Sequence, residues 1–433
     1  MGIVAELLKD TVLPRMIRAR QAFPADEVRD VAGALREELR KPAIAGKARG
    51  RKRIAVAVGS RGVAQIPLIV RVVVEELKAL GAEPFIVPGM GSHGGATAEG
   101  QTELLASLGV TENGAGCPIV SSMDVVELGT LDNGLPVYTD RHAMEADGIV
   151  VINRVKPHTA LSGSIESGMV KMITIGLGKQ KGADSCHAFG FGHMEKNILD
   201  MAKMKLGRAR FLFGVGTVEN AYERVAKIVA VPAEEIVEEE KRLPAEAREK
   251  MPSIPFDPLD VLVVDRMGKE ISGSGMDPNI TGRASNPHIK VTRRTTRMAV
   301  LDLTAASHGN AVALGLADVI TRRLFGKIDL EATYANVLTA TVTRSGMIPL
   351  VMENDRLAIR AAVKTCNALD KGAVRMVRIQ DTLHLGEILF SECLLDEARG
   401  NPRLSILGPP GDIAFDGEGN LPDVGAWAQA PHR

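Results

Sequence analysis

The chain alternates short apolar runs with amphipathic stretches, a pattern typical of strands and crossover helices in a parallel sheet. The run RIAVAVGSRG, which begins at Arg53, is apolar and stops at Gly59, so it predicts a buried strand that ends in a loop. Apolar positions from Ile66 to Leu80 then follow helical spacing, and Gly81 is placed to end that helix. This succession predicts an α/β fold.

The strand-to-loop unit recurs along the first half of the chain. A strand is predicted at EPFIVPGM, which breaks into the glycine-rich GMGSHGG, and a later strand is predicted at GIVVINRV, which runs into KPHT. Arg61, His93 and His158 each follow the end of such a strand. Ligands of open parallel sheets bind beyond the carboxyl ends of the strands, so these three side chains are predicted to face one pocket.

The second half repeats this style without a sequence repeat. A charged, helix-prone stretch bounded by prolines ends near residue 250 and is interpreted as a domain boundary. Beyond it, DVLVVDRMG, RMAVLDLTAAS and VRMVRIQDTLH predict strands, ALGLADVITRRLFG and NDRLAIRAAVKTCNAL predict helices, and the Gly- and Pro-rich tail after Leu407 predicts irregular structure. With 433 residues the chain is too long for one ordinary core. We therefore expect two α/β domains, 1–250 and 251–433, with parallel or mixed sheets flanked by helices and the active site in the cleft between them.

Composition narrows the possible partners. The 53 basic residues balance 53 acidic ones, so no global field attracts nucleic acid or anionic lipid, and neither partner is expected. The four cysteines are scattered without a CxxC pair, which favours reduced thiols in a cytoplasmic protein. The first residues lack a signal-peptide core, and no apolar run approaches membrane-spanning length. A small anionic ligand, bound locally, is the expected partner.

Each candidate residue has a chemical interpretation and a plainer one. An imidazole at His93 or His158 can transfer a proton near neutral pH, and the fork of Arg61 suits a carboxylate. Lys171 lies among apolar neighbours in GMVKMITIG, where partial burial favours a neutral amine that forms covalent bonds. The alternatives are packed or surface histidines, a solvated loop arginine and a lysine that reaches water from a helix edge. His187 alone makes no metal site.

Two weaker signals lie in the same region. The run IGLGKQKG, with Lys179 and Lys181, has the composition of an anion site formed by backbone N–H groups. Cys186 adjoins His187, but neighbouring residues on a regular element point in different directions, so it is interpreted as packing. These residues alone indicate an enzyme that acts on a small anion.

The motifs taken together resemble a known family, the nickel-pincer-dependent lactate racemases and their homologues of unassigned substrate. The resemblance is carried, in chain order, by GSRG with Arg61, GMGSHGG with His93, KPHTALSG with His158, then Lys171 and His187. It implies that Lys171 tethers a pyridinium mononucleotide through a thioamide and that His187 is the protein ligand of a planar nickel ion. It further implies that His93 and His158 form the acid/base pair and that Arg61 holds the substrate carboxylate.

The resemblance also implies an activity, a cofactor and partners. The activity would be racemisation or epimerisation of a 2-hydroxy acid by reversible hydride transfer to a nickel-pincer nucleotide. Residues 1–250 would carry the histidines and the lysine, and residues 251–433 would close over cofactor and substrate. Proteins that synthesise the cofactor would be partners, whereas the oligomeric state stays open.

Departures from the family pattern bear on the substrate. The aspartate expected before the arginine loop is missing from Val58-Gly59-Ser60-Arg61, and Thr281 and Gly282 stand where larger polar residues are expected. A substrate other than lactate is therefore expected, such as a longer hydroxy acid or a sugar acid, with Arg283 or Asn279 as replacement contacts. A lyase or oxidoreductase on the same scaffold, and a non-catalytic protein that binds a nucleotide-like anion, are the alternatives.

Overall fold

The computed structural model describes residues 2–60 and 62–422. The strands in these residues are β1 (Met16–Gln21), β2 (Arg53–Val58), β3 (Glu83–Pro88), β4 (Val125–Thr130), β5 (Pro136–Asp140), β6 (Gly148–Arg154), β7 (Phe211–Glu219), β8 (Val225–Pro232), β9 (Leu259–Val264), β10 (Thr295–Val300), β11 (Val319–Thr321), β12 (Leu350–Met352), β13 (Met376–Ile379), β14 (Glu387–Ser391) and β15 (Leu404–Ile406). The α-helices are α1 (Ile3–Leu8), α2 (Val31–Arg40), α3 (Pro42–Ala48), α4 (Ile66–Ala79), α5 (Ala98–Ser107), α6 (Glu112–Ala115), α7 (Arg141–Met144), α8 (Met169–Lys171), α9 (Lys179–His187), α10 (Met194–Arg208), α11 (Ile236–Glu240), α12 (Leu243–Lys250), α13 (Pro278–Thr281), α14 (Arg322–Phe325), α15 (Leu330–Thr339), α16 (Asp355–Thr365) and α17 (Leu395–Arg399). A π-helix, Met172–Gly176, directly follows α8.

The chain divides into two compact units. The central unit comprises residues 24–251, and the terminal unit combines the residues up to Phe23 with those from Pro252 onward. The sequence-based division at 250 assigned the first residues to the N-terminal domain, and the structure differs there. The reason is β1, which pairs antiparallel with β14 and brings Met16 opposite Ser391.

The central unit is built on a five-stranded sheet in the order β3-β2-β6-β7-β8, in which only β8 runs antiparallel. Alternate residues of β2 belong to two hydrophobic cores, one on each face of the sheet. Ile54 and Val56 pack with α2 and α4 on one face, and Ala55 and Ala57 pack with α10 on the other. The near-continuous apolar character of the central strands follows, because helices cover both faces of the sheet. The carboxyl ends of β3, β2 and β6 lie side by side at one edge.

The terminal unit holds an eight-stranded mixed sheet in the order β12-β11-β10-β9-β13-β14-β1-β15. Strands β12 to β13 in that order are parallel, and β14, β1 and β15 are joined antiparallel. Helix α16 packs its apolar face, including Ile359 and Val363, on the buried residues of β9 and β10. The prediction of an α/β fold with parallel or mixed sheets flanked by helices is confirmed.

One predicted element was wrong. The stretch ALGLADVITRRLFG was expected to form one helix, but it contains strand β11, which pairs in parallel with β10, followed by the short helix α14. Three β-branched residues in a row favour the strand. Thr321 then ends the strand and caps α14, since its side chain accepts the N–H of Leu324.

Two further properties bear on the sequence predictions. The structure's described residues include no helix that combines the length and apolar character required to cross a membrane. Cys117, Cys186 and Cys366 are buried free thiols, and Cys393 is an exposed one.

Candidate functional site

The loops that follow β2 and β3 meet at the carboxyl edge of the central sheet. Ser60, two residues past β2, makes a short Oγ–Nδ1 hydrogen bond with His93, which lies in the loop after β3. Because β2 and β3 are parallel neighbours, the sheet itself brings these two loops together. Arg61, the predicted carboxylate clamp, lies outside the described residues.

Two buried polar side chains hold the backbone of the His93 loop in place. The Gln101 amide on α5 donates to the carbonyls of Gly91 at 3.0 Å and His93 at 3.2 Å. Lys179 Nζ donates in turn to Gln101 Oε1 at 3.1 Å and to the Pro88 carbonyl at 2.6 Å. Gln101 and Lys179 are both fully buried, so the backbone around His93 is fixed by the core and not by solvent-exposed contacts.

Lys179 therefore has a structural role, and the predicted anion site at IGLGKQKG is wrong for this residue. Its ammonium group lies 3.2 Å from Asp140 Oδ2, within ion-pair distance though not aligned as a hydrogen bond. Burial lowers the pKa of Lys179, and the Asp140 charge opposes that shift. Lys181, by contrast, is exposed.

The His93 loop also touches the segment that carries Lys171. The Gly91 N–H donates to the Gly176 carbonyl at 3.0 Å, where Gly176 ends the π-helix. A Cβ atom on Gly176 would lie 2.6 Å from the Gly89 carbonyl oxygen, so only glycine permits this close approach. The loop after β3 and the π-helix thus form one packed layer.

Lys171 and His158 are in direct contact. Lys171 ends α8, and its Nζ makes a short hydrogen bond with His158 Nε2. His158 Nδ1 accepts the Ala160 N–H at 3.0 Å, which places the imidazole proton on Nε2. The Lys171 amine and the His158 imidazole are therefore coupled directly through Nε2.

The backbone of the His158 loop is tied to a charged pair. The His158 N–H donates to Glu166 Oε2 at 2.7 Å, and Arg248 Nη2 donates to Glu166 Oε1 at 2.9 Å. Glu166 is almost completely buried, so it holds the loop to α12 at the base of the site. Neither Glu166 nor Arg248 stood out in the sequence.

A buried carboxyl group and a buried amine bind the backbone at the two ends of the turn around Lys171. At its start, Glu240 Oε2 accepts the Val170 N–H at 2.9 Å, and burial raises the pKa of this carboxyl to about 8. At its far end, Lys205 Nζ donates to the carbonyls of Ile173 at 2.9 Å and Thr174 at 2.8 Å. Burial lowers the pKa of Lys205 to about 7. Both groups therefore titrate near neutral pH.

His187 lies at the end of α9, partly buried against Phe191. Its Nδ1 is 2.7 Å from the Ala183 carbonyl, which fixes the proton on Nδ1 and leaves the lone pair on Nε2. Burial is the main reason why the pKa of His187 is lowered, and the positive charge of Lys171 lowers it further. The imidazole is thus neutral at neutral pH, and Nε2 makes no hydrogen bond with a described residue.

Metal-binding capacity in this region rests on single residues. No group of three or more His, Cys, Asp or Glu side chains that could hold a metal ion occurs in residues 2–60 and 62–422. Cys186, next to His187, packs in the core with its Sγ 3.5 Å from Met194 Sδ, and burial raises the pKa of its thiol to about 12. A neutral thiol of this kind is a poor metal ligand.

The loop in the terminal unit offers fewer contacts than the sequence indicated. Thr281 is fully buried, and Gly282 ends α13 with a φ of 68°. The guanidinium of Arg283 binds the carbonyls of Thr295 and Thr296 and the carboxylate of Asp318, at 2.9 to 3.1 Å. The guanidinium of Arg283 is therefore hydrogen-bonded within its own unit, which argues against Arg283 as a substrate contact.

These features define an α/β domain whose candidate site residues lie in loops beyond the carboxyl ends of parallel strands. Comparison with known proteins adds that residues 4–198 match the family model described as the lactate racemase N-terminal domain. The match spans 195 of the 433 residues and shows a lactate racemase-like N-terminal domain in this chain. No curated protein matches it significantly.

Solved structures similar to the chain include the following two. The lactate racemase apoprotein from Thermoanaerobacterium thermosaccharolyticum is 13% identical, with 85% of this chain and 88% of that chain covered and a TM-score of 0.46. A protein from Thermotoga maritima, solved by a structural genomics consortium, is 17% identical, with 65% and 72% covered and a TM-score of 0.46.

Proposed function

We propose that the chain is a racemase or epimerase of a 2-hydroxy acid that works with a nickel-pincer nucleotide tethered to Lys171. The observation that carries the proposal is the contact between Lys171 Nζ and His158 Nε2 inside the family's N-terminal domain. It joins the amine proposed to hold the cofactor to an imidazole proposed to move the substrate's proton. His187 is close enough to Lys171 for the charge of the lysine to lower its pKa.

The residues present fit such a group. The neutral imidazole of His187 offers Nε2 as a single soft-to-borderline donor, which suits a planar nickel ion whose other donors come from an organic ring. Its Nδ1 bond to the Ala183 carbonyl orients the ring, as is usual for metal-bound histidines. Lys171, an amine on a rigid turn, is suited to form the tether. When bound, the group would accept the hydrogen from the substrate carbon and return it.

The two remaining histidines are proposed to handle the hydroxyl proton. When the Ser60 hydroxyl accepts from Nδ1–H of His93, Nε2 of His93 carries a lone pair and can take a proton from a substrate hydroxyl. His158 accepts an N–H at Nδ1, so Nε2 is the nitrogen from which it would deliver one. Inversion at carbon requires proton transfer on both sides of the substrate, which explains why two histidines are needed. Arg61 is proposed to hold the carboxylate.

The first test is cofactor loading. Co-expression with the cofactor-synthesis proteins should give an intact-mass adduct of mononucleotide size and nickel near stoichiometry. Lys171→Arg should abolish the adduct, whereas Lys181→Arg, an exposed lysine on α9, should keep it. His187→Gln should keep the adduct and lose the nickel. Absence of both adduct and nickel from the wild-type protein under these conditions would refute the proposal.

The second test is catalysis. Loaded protein should reduce the optical purity of some member of a panel of 2-hydroxy acids and sugar acids, and His93→Ala and His158→Ala should each abolish this activity. In deuterated water an internal return of hydrogen keeps the carbon-bound hydrogen, whereas exchange would favour removal by a base, and net release of keto acid would favour the lyase or oxidoreductase alternative. Ligand binding that survives both histidine changes, without any turnover in the wild type, would favour the non-catalytic alternative.

A longer hydroxy acid or a sugar acid is the proposed substrate. The proposal rests on Thr281 and Gly282, which stand where larger polar residues are expected, since additional substrate hydroxyls need different partners when they are buried. Arg283 is bound to Asp318 and is not proposed as one of them. Preference for lactate over every longer acid of the panel would contradict this part of the proposal.

A further inference from the structure

The terminal unit contains a cavity of about 490 Å³ that the proposed racemase chemistry does not use. It lies between residues 9–13, which follow α1, the first turns of α16, and residues 412–415. Pockets for small organic molecules measure about 300–1,000 Å³, so the volume suits a ligand of that class. All of its lining residues belong to the terminal unit.

Two arginines on α16 face this cavity without an anionic partner. Arg356 and Arg360 are four residues apart and therefore lie on the same side of the helix. The guanidinium of Arg356 stacks on the ring of Phe415 at 4.9 Å. Within the described residues, neither guanidinium forms an ion pair or a side-chain hydrogen bond, and Nε of Arg360 is fully buried with no hydrogen-bond partner. Burial of a guanidinium N–H without an acceptor costs free energy, and a ligand that accepts this hydrogen bond would offset that cost.

The other charges of the lining do not supply that acceptor. Asp10 and Asp412 are exposed at the rim, and neither is within ion-pair distance of the two arginines. Asp355, next to Arg356 along the helix, is bound to Arg323 and to the Leu421 N–H. The interior of the cavity is therefore positively charged, with apolar surface from Phe415 and its neighbours.

We propose that this cavity binds a small organic oxyanion, a phosphate monoester or a carboxylate. The two guanidinium groups hold the oxyanion, because their planar forks match the oxygen atoms of carboxylates and phosphates. Phe415, Leu13 and Ile413 contact the apolar body of the ligand. The site differs from the proposed catalytic site, which uses residues of the central unit.

Calorimetric titration of the purified chain with phenyl phosphate, benzoate and inorganic phosphate tests the proposal without any loaded cofactor. At least one aromatic anion should bind saturably, and the tighter of the two identifies the head group. Arg360→Met should weaken that binding about ten- to hundredfold, the loss expected for a charge-assisted hydrogen bond. Arg399→Met, which changes an exposed arginine of the same unit that pairs with Asp396, should leave it unchanged.

Thermal unfolding separates loss of the ligand contact from loss of the fold. Arg360→Met removes a buried donor that has no partner, so the variant should melt no lower than the wild type when no anion is present. The added anion should raise the melting temperature of the wild type and not that of the variant. Failure of every anion to bind, equal binding by Arg360→Met, or inorganic phosphate binding as tightly as phenyl phosphate would overturn the proposal.

Discussion

Lys205 should make the stability of the chain depend on pH in a defined direction. The side chain is completely buried, and burial lowers its pKa to about 7 from an ordinary 10.5. Between these two values the unfolded chain binds the proton and the folded chain does not, so the free energy of unfolding rises with pH. Below pH 7 both states are protonated, and the folded state carries the full cost of the buried charge. That cost is at most about 5 kcal/mol.

The perturbation is Lys205→Met, which keeps most of the length of the side chain and removes the titrating group. The free energy of unfolding of the wild type minus that of Lys205→Met should rise by about 1.4 kcal/mol per pH unit, or about 3 kcal/mol between about pH 7.5 and 9.5. Urea unfolding followed by circular dichroism at several pH values gives both curves. Subtracting them cancels the groups that the two proteins share.

The matched control is Lys203→Met, because Lys203 lies on the same helix and is exposed. Its difference curve should be flat over the same range. A flat or falling curve for Lys205→Met would refute the reasoning, since it would mean that the amine is solvated or keeps its proton through the bonds to the Ile173 and Thr174 carbonyls.

Glu240 should give the opposite slope, because its raised pKa of about 8 means that the folded chain holds a proton that the unfolded chain has lost. The free energy of unfolding of the wild type minus that of Glu240→Gln should therefore fall between about pH 4.5 and 8. A difference that stays constant over this range would contradict this prediction. Lys179→Met should cost about 3–5 kcal/mol, because it leaves Asp140 buried without a counter-charge, and adding Asp140→Asn should recover about 2 kcal/mol of it. A double variant no more stable than Lys179→Met would argue against the pair. Gly176→Ala should lower cofactor loading and stability together, since its Cβ would collide with the Gly89 carbonyl, and unchanged loading would count against the close approach.

The sequence predicts the strand-end loops well because the signals are local. An apolar run that breaks at glycine or proline defines both the strand and the loop that follows, as it does for β2, β3 and β6. Strand β1 was missed because it is only six residues long and its partners, β14 and β15, lie at the other end of the chain. Pairing at such separations leaves no local pattern to detect.

The residues that support the site were harder to predict than those proposed to react. Gln101, Glu166 and Glu240 look like surface residues in sequence, and their burial follows only from tertiary packing. Lys205 did carry a signal. It continues the apolar stripe of Ile198, Met201 and Ala202 on α10, where a charged residue at a core position points to a buried partner.

The polar contacts around the π-helix position the backbone near Lys171 without using the side chain of Lys171. Glu240 binds the backbone just before Lys171 and Lys205 binds it just after, so neither contact uses the side chain of Lys171. Each buried group opposes stability over part of the pH range, yet both are retained beside one turn, as expected where function constrains the backbone. Changing Lys171 should therefore remove the proposed tether and leave these backbone contacts in place. Changing Lys205 should shift the turn while the amine of Lys171 remains, so that a loss of the proposed cofactor loading in Lys205→Met would report on the position of the turn alone.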